Sequence, residues 1–201
     1  TMNFLAHIYL SGDDEHVIVG NFLGDFVKGS DYLMYPDDIR QGILMHRNID
    51  SFTDNHQLVR DVKNYFIPGY FKYAGVIVDI LFDHYLAKDF YNFHTVSLKE
   101  FVNNAHNILL NHYELCPEKM KSYLPGFMKQ RWLERYATLE GIRDVFDGMS
   151  ATTSLPHETD FAMETIVSHY EELRHAFYDF FYQIVAYMEE RFMVSISGRF
   201  S

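Results

Sequence analysis

The chain has 201 residues, with 17 Lys and Arg against 28 Asp and Glu and a formal net charge of −11. That balance leaves no broad polycationic surface, which excludes a nucleic-acid polymer as partner. No run of about 18 apolar residues offers a membrane span, no basic segment with a following apolar stretch opens the chain, and the single Cys116 makes neither an internal disulfide nor a thiol-redox motif. The expectation is a cytoplasmic protein without a membrane partner.

A hydrophobic share of 48% and an aromatic share of 17% suffice for one substantial core, so residues 1–201 are expected to form a single domain. Apolar residues recur at spacings of three and four, and alternating runs are scarce, which predicts an all-α, single-domain helical bundle. In chain order, Asp13 or Asp14 caps a helix running to about Lys28. Pro36-Asp37-Asp38 places acids at the start of the next, whose pattern carries on past Asp54 toward Phe66. Further helices are expected at roughly 71–92, 98–114, 125–138 and 140–149, with turns at Gly29-Ser30, Pro68-Gly69, Pro125-Gly126 and Leu155-Pro156. Thr159 or Asp160 opens a long last helix to about residue 193, with Tyr170, Leu173, Phe177, Phe181, Ile184 and Met188 as its core stripe. No repeat and no glycine-rich phosphate loop interrupts this pattern.

The segment Val78-Asp79-Ile80-Leu81-Phe82-Asp83-His84-Tyr85-Leu86 sets two Asp and a His in a helix apolar enough to be buried on every side. A carboxylate taken out of water without a partner costs several kcal/mol, so these groups need a cation or a tight polar network. Met45-His46-Arg47-Asn48-Ile49-Asp50 has the same character, and Asn21-Phe22-Leu23-Gly24-Asp25-Phe26 adds another isolated Asp. At about 100° per residue, Ile39, Ile43, His46 and Asp50 share one helical stripe. Asp79 and Asp83 are likewise four apart, with His84 a quarter-turn away. Imidazoles and carboxylates together suit a divalent Mn, Fe, Zn or Mg ion. Taken singly, each buried His is more often a hydrogen-bonded core residue, and only the convergence favours a metal. His7, in Met2-Asn3-Phe4-Leu5-Ala6-His7, ranks next after His46 and His84; His169 ranks below it, and the other His are expected at the surface or in loops.

These segments carry a resemblance. Met2–His7, Gly20-Asn21-Phe22-Leu23-Gly24-Asp25-Phe26-Val27-Lys28-Gly29, Met45–Asn55 and Asp79–Leu86 are similar, in order, to the motifs of the acyl carrier protein phosphodiesterase family. The similarity continues more weakly through Gln130–Tyr136, Gly148-Met149 and His169–Leu173. It implies a divergent HD-type, all-helical phosphohydrolase that uses Mn to remove the 4′-phosphopantetheine arm from holo-acyl carrier protein. In that scheme Asp25, His46, Asp83 and His84 hold the metal. Asp50 or Asp79 orients or deprotonates the water, His7 lies close by, and Lys28 and Arg47 contact phosphate. The usual HD order is His, then His-Asp, then a later Asp, whereas the dyad here reads Asp83-His84.

A bound metal fits the implied chemistry, because it acidifies water and polarises a phosphoryl oxygen. An acidic carrier protein meets a chain of net charge −11, which opposes long-range steering. Residues 118–135 are the local exception, where Lys119, Lys121, Lys129, Arg131 and Arg135 outnumber Glu118 and Glu134 and offer a docking patch. The alternatives are an HD-like phosphohydrolase acting on a nucleotide or small phosphoester, and a non-catalytic helical binding protein whose buried Asp and His form a structural network.

Overall fold

The computed structural model describes residues 4–196, and these are helical nearly throughout, with no strand among the described residues. Met2 and Asn3 of the first motif lie outside them. Among the described residues eleven α-helices follow one another: α1 (Phe4–Leu10), α2 (Glu15–Leu23), α3 (Asp37–Asn55), α4 (Gln57–Tyr70), α5 (Ala74–Lys88), α6 (Leu98–Asn111), α7 (Glu118–Lys129), α8 (Trp132–Arg135), α9 (Leu139–Thr152), α10 (Thr159–Ser168) and α11 (Tyr170–Phe192). Buried hydrophobic side chains from Phe4 to Ile196 make one connected cluster. Helix α5 runs through it, buried continuously from Ile77 to Ala87 and packed on α1, α4, α9 and α11.

The most extensive helix pair is α2 with α3, and two glycines make it possible. A Cβ on Gly20 would lie 2.0 Å from the Ile39 carbonyl oxygen, and one on Gly42 would lie 2.2 Å from that of Val17. With no side chain at either position the two backbones touch, and the end of α2 carries Asp25 toward α3. Asp14 caps α2, its Oδ1 accepting from the His16 and Val17 amides at 2.9 and 3.1 Å.

Several boundaries differ from the sequence pattern. The α3 stripe does not run on to Phe66, because His56 is extended (ψ 134°) and packs its ring against Phe52 and Phe180. Pro68 and Pro125 sit inside α4 and α7 rather than in turns. The carbonyl four residues before Pro125 is that of Lys121, and the Tyr113 hydroxyl donates to it at 3.5 Å, supplying a donor where proline has none. The helix expected at 125–138 is therefore α7 and α8, separated by Arg131 at φ 50°. The long last helix is broken at His169 into α10 and α11, and the break turns Tyr170 toward α5, where its carbonyl accepts from the Tyr85 hydroxyl at 2.9 Å.

From Gln57 to Lys88 the chain is helical for long enough, and is apolar enough, to cross a membrane by length and composition alone, and half of its most apolar window is buried in the fold. Phe71, at φ 48°, interrupts it.

Candidate metal centre

Two helices and one turn bring these side chains together. His7 comes from α1, and His46 and Asp50 come from successive turns of α3. The rings of His7 and His46 stack with centroids 4.0 Å apart and planes 17° from parallel. His7 Nε2 stands 3.3 Å from Asp50 Oδ1, and His46 Nε2 stands 3.3 Å from Asp50 Oδ2. Asp25, in the turn after α2, brings Oδ1 to 3.4 Å from His46 Nε2. Among the described residues, His7, His46 and Asp50 are the one group of three whose ligand-type atoms all lie within 4.8 Å of one another.

Asn21 decides how His7 is protonated. Its Nδ2 donates to the His7 carbonyl at 3.0 Å and to Ser11 Oγ at 2.9 Å, so its Oδ1 faces His7 Nδ1 at 2.9 Å as an acceptor. The Nδ1 of His7 therefore carries the proton, and its Nε2 presents a bare lone pair toward a carboxylate. That nitrogen is buried without a hydrogen bond. A lone pair facing an anion at 3.3 Å is unfavourable unless a cation joins them. Two donors each about 2.1 Å from one ion stand roughly 3.0–3.4 Å apart at octahedral to tetrahedral angles, which is the spacing found here.

Electrostatics agrees with the geometry. Burial, helped by the neighbouring His46, pushes His7 below the usual imidazole range, toward the neutral form a ligand needs. Burial also opposes charge on His46, yet hydrogen bonding to Asp25 and Asp50 outweighs it and raises the group to about 9. Asp50 is held well below the usual carboxylate range by His46 and His7 in spite of its burial. A divalent ion would replace the His46 proton as the counter-charge to Asp25 and Asp50. The donor set fits a divalent metal.

The remaining acids and imidazoles named from the sequence lie outside this group of three. Asp83 is fully buried, and its Oδ2 and Oδ1 accept from the Leu5 and Ala6 amides at 3.0 and 2.9 Å. It thus caps α1 from a distant helix, where the free amides and the helix dipole favour a carboxylate. Burial raises its pKa, and those two amides pull the other way. His84 has both ring nitrogens engaged, Nδ1 with the Tyr136 carbonyl at 2.7 Å and Nε2 with the Tyr170 hydroxyl at 2.8 Å. Burial lowers it to about 4, so it is a neutral core histidine. The structure brings neither Asp83 nor His84 into the group of three. Asp79 is 8% exposed, and burial pushes it up to about 8, with the Asp50 and Asp54 carboxylates adding to the rise.

A family model described as acyl carrier protein phosphodiesterase fits residues 2–184. The chain belongs to the acyl carrier protein phosphodiesterase family.

Its relatives include the acyl carrier protein phosphodiesterase of Yersinia enterocolitica, 32% identical over 191 residues, which span 94% of this chain and 99% of that protein. Proteins of the same name from Yersinia pestis and Photorhabdus laumondii are each 34% identical, over 90% and 94% of this chain and 94% of each relative. No solved structure matches the chain significantly.

Of the two basic residues next to these motifs, Lys28 is exposed and Arg47 is partly buried. Arg47 donates from Nη2 to the Gly29 and Val27 carbonyls at 2.8 and 3.4 Å, and its guanidinium lies 4.9 Å from the centroid of the Tyr32 ring. It clasps the turn that carries Asp25 and Lys28. Sequence spacing gave no role to Asn21 beyond its distance from Asp25. The signal available was a buried amide one turn before an acid, and its meaning needed the contact with His7.

Proposed function

We propose that this protein is a phosphodiester hydrolase that releases 4′-phosphopantetheine from holo-acyl carrier protein, a reading supported by relatives named acyl carrier protein phosphodiesterase. The observation that carries a metal-dependent reading is the bare, buried Nε2 of His7 aimed at Asp50 beside the stacked His46. His7, His46 and Asp50 hold the ion and Asp25 supports it through His46. Mn is the metal we assign, over Mg, Fe or Zn. When bound, the ion supplies an acidified water and charge stabilisation at the phosphoryl oxygens.

The chain's own groups do the rest. Exposed Lys28 is assigned to a phosphate oxygen, and Arg47 acts by fixing the turn that carries it. Asp79 keeps its proton near neutral pH, which suits it to protonating the leaving serine oxygen rather than to taking a proton from water. The arrangement is read as HD-like and as one domain, in the reducing cytoplasm that suits a lone, buried Cys116. Carrier-protein docking is assigned to the face with Lys119, Lys121, Lys129, Arg131 and Arg135. Within it Lys121 is paired with Glu118 at 3.3 Å, Arg131 with Glu134, and Arg135 lies over Trp132, while Lys119 and Lys129 are exposed. Those two lysines carry most of the charge that an acidic partner would meet.

The test is to incubate holo-carrier protein with the metal-loaded enzyme and follow apo-carrier protein and free 4′-phosphopantetheine by mass. A parallel panel of nucleotides and small phosphoesters must be cleaved poorly. Turnover of that panel with an intact holo-carrier protein would overturn the assignment.

A further inference from the structure

Next to the metal centre stands an aromatic wall that the hydrolytic chemistry does not use. Its residues alternate along the chain with those of the centre: Phe4 precedes His7 by one helical turn, Phe22 follows Asn21, and Phe26 follows Asp25. Phe4 and Phe22 stack at 4.9 Å and are buried. Phe26 and Tyr123 are only partly buried against this core, with their ring centroids 6.2 Å apart and tilted by 46°. Tyr123 comes from α7, and its ring also meets Phe4 at 6.2 Å and Phe127 at 5.5 Å. The wall is thus fastened to the centre on one side and to α7 on the other.

Aromatic rings that serve packing alone are normally covered, and a buried tyrosine hydroxyl normally finds a partner. Here Phe26 and Tyr123 are each only partly buried. The Tyr123 hydroxyl makes no hydrogen bond among the described residues, and burial with the Asp25 charge nearby raises it to about 12, so it keeps its proton and can donate a hydrogen bond at neutral pH. Exposed Lys119 lies one turn earlier on the same side of α7. Ring contact links Tyr123 of the basic face to Phe26, which directly follows Asp25 in the chain.

We propose that Phe26 and Tyr123 form the subsite for the pantetheine arm of the substrate. The arm alternates apolar stretches, including a gem-dimethyl carbon, with amides. Ring faces flanking one hydroxyl donor are the complement of that pattern, since such sites are largely apolar with a few placed polar groups. This inference rests on the function proposed above and adds which residues read the arm rather than the protein that carries it.

The experiment compares wild type with Tyr123→Ala, Phe26→Ala and the conservative Tyr123→Phe. Three quantities are measured for each: KM for holo-carrier protein, the inhibition constant of apo-carrier protein as competitor, and Mn affinity by calorimetry. Apo-carrier protein docks but has no arm. We expect Tyr123→Ala and Phe26→Ala to raise KM for the holo form roughly 10-fold or more and Tyr123→Phe to raise it roughly 2- to 5-fold, with apo-carrier inhibition and Mn affinity unchanged. If KM is unaltered in all three while wild type cleaves holo-carrier protein, the subsite is overturned and the function stands. If apo-carrier inhibition weakens in parallel with KM, or Mn affinity falls, the pair serves docking or the metal centre and the subsite is likewise overturned. If wild type does not cleave holo-carrier protein at all, both readings fall together.

Discussion

Gly24 and His46 occupy the same space up to the size of one methyl group: a Cβ on Gly24 would lie 2.1 Å from His46 Cγ and 2.4 Å from its Cβ. The imidazole reaches Asp25 and Asp50 only because position 24 has no side chain. Gly24→Ala is therefore expected to displace His46 while leaving every ligand residue in place. Misplacement by about 1 Å can cost on the order of 100-fold in rate, so turnover should fall by at least 10-fold with weaker Mn binding and an unchanged helical circular dichroism spectrum. Normal Mn affinity in this variant would remove His46 from the centre.

Chelation should abolish phosphodiesterase activity, and Mn should restore it. His7→Ala, His46→Ala and Asp50→Ala should each lower Mn affinity by 10-fold or more in calorimetry, because each removes one donor of a small set. Asn21→Ala should do so more mildly, through the tautomer of His7. Full activity in protein shown by elemental analysis to be metal-free would end the metal-dependent mechanism.

Asp83 is expected to matter for folding more than for the metal. Asp83→Ala leaves the Leu5 and Ala6 amides buried without an acceptor, at about 1–3 kcal/mol each, or roughly 2–6 kcal/mol together. Urea denaturation of the metal-free proteins measures this directly. A variant of native stability but reduced Mn affinity would place Asp83 among the ligands instead.

Asp79 sets a pH dependence whose sign follows from its shift. Its folded-state value is about 8 against an ordinary 3.8, so between those values the folded protein holds a proton that the unfolded chain has lost. Stability should fall as pH rises from about 4 through 8, by a few kcal/mol in total. Asp79→Asn stays neutral at every pH and should flatten that slope, melting higher than wild type at pH 8 while losing turnover. An unchanged slope in the variant would mean that Asp79 is not the group responsible.

Lys119 and Lys129 should act on encounter with the carrier protein. Neutralising both should raise KM for holo-carrier protein more than it lowers kcat, and wild-type activity should fall as salt passes about 0.1 M, where screening reaches about 10 Å. Faster turnover with added salt would show that repulsion between two acidic proteins dominates and that this face is incidental.

Spacing alone settled the helical class, the amphipathic faces, the shared stripe of His46 and Asp50, and the burial of Asp79, Asp83 and His84, because which side chains share a helix face is a local property of the backbone. The helix boundaries at His56 and His169 were not legible, since each break is held by contacts with distant helices rather than by a local breaker. Pro68 and Pro125 misled for the opposite reason, because tertiary packing and the Tyr113 hydroxyl tolerate a proline that local rules would place in a turn. The roles of the buried acids and imidazoles also lay beyond the sequence. A buried carboxylate needs favourable partners, and either a metal or the free amides of a helix start can supply them. Only the docking of α1 against α5, some 78 residues apart in the chain, gave Asp83 to the Leu5 and Ala6 amides. Only the meeting of α1 with α3 brought His7 against His46 and Asp50.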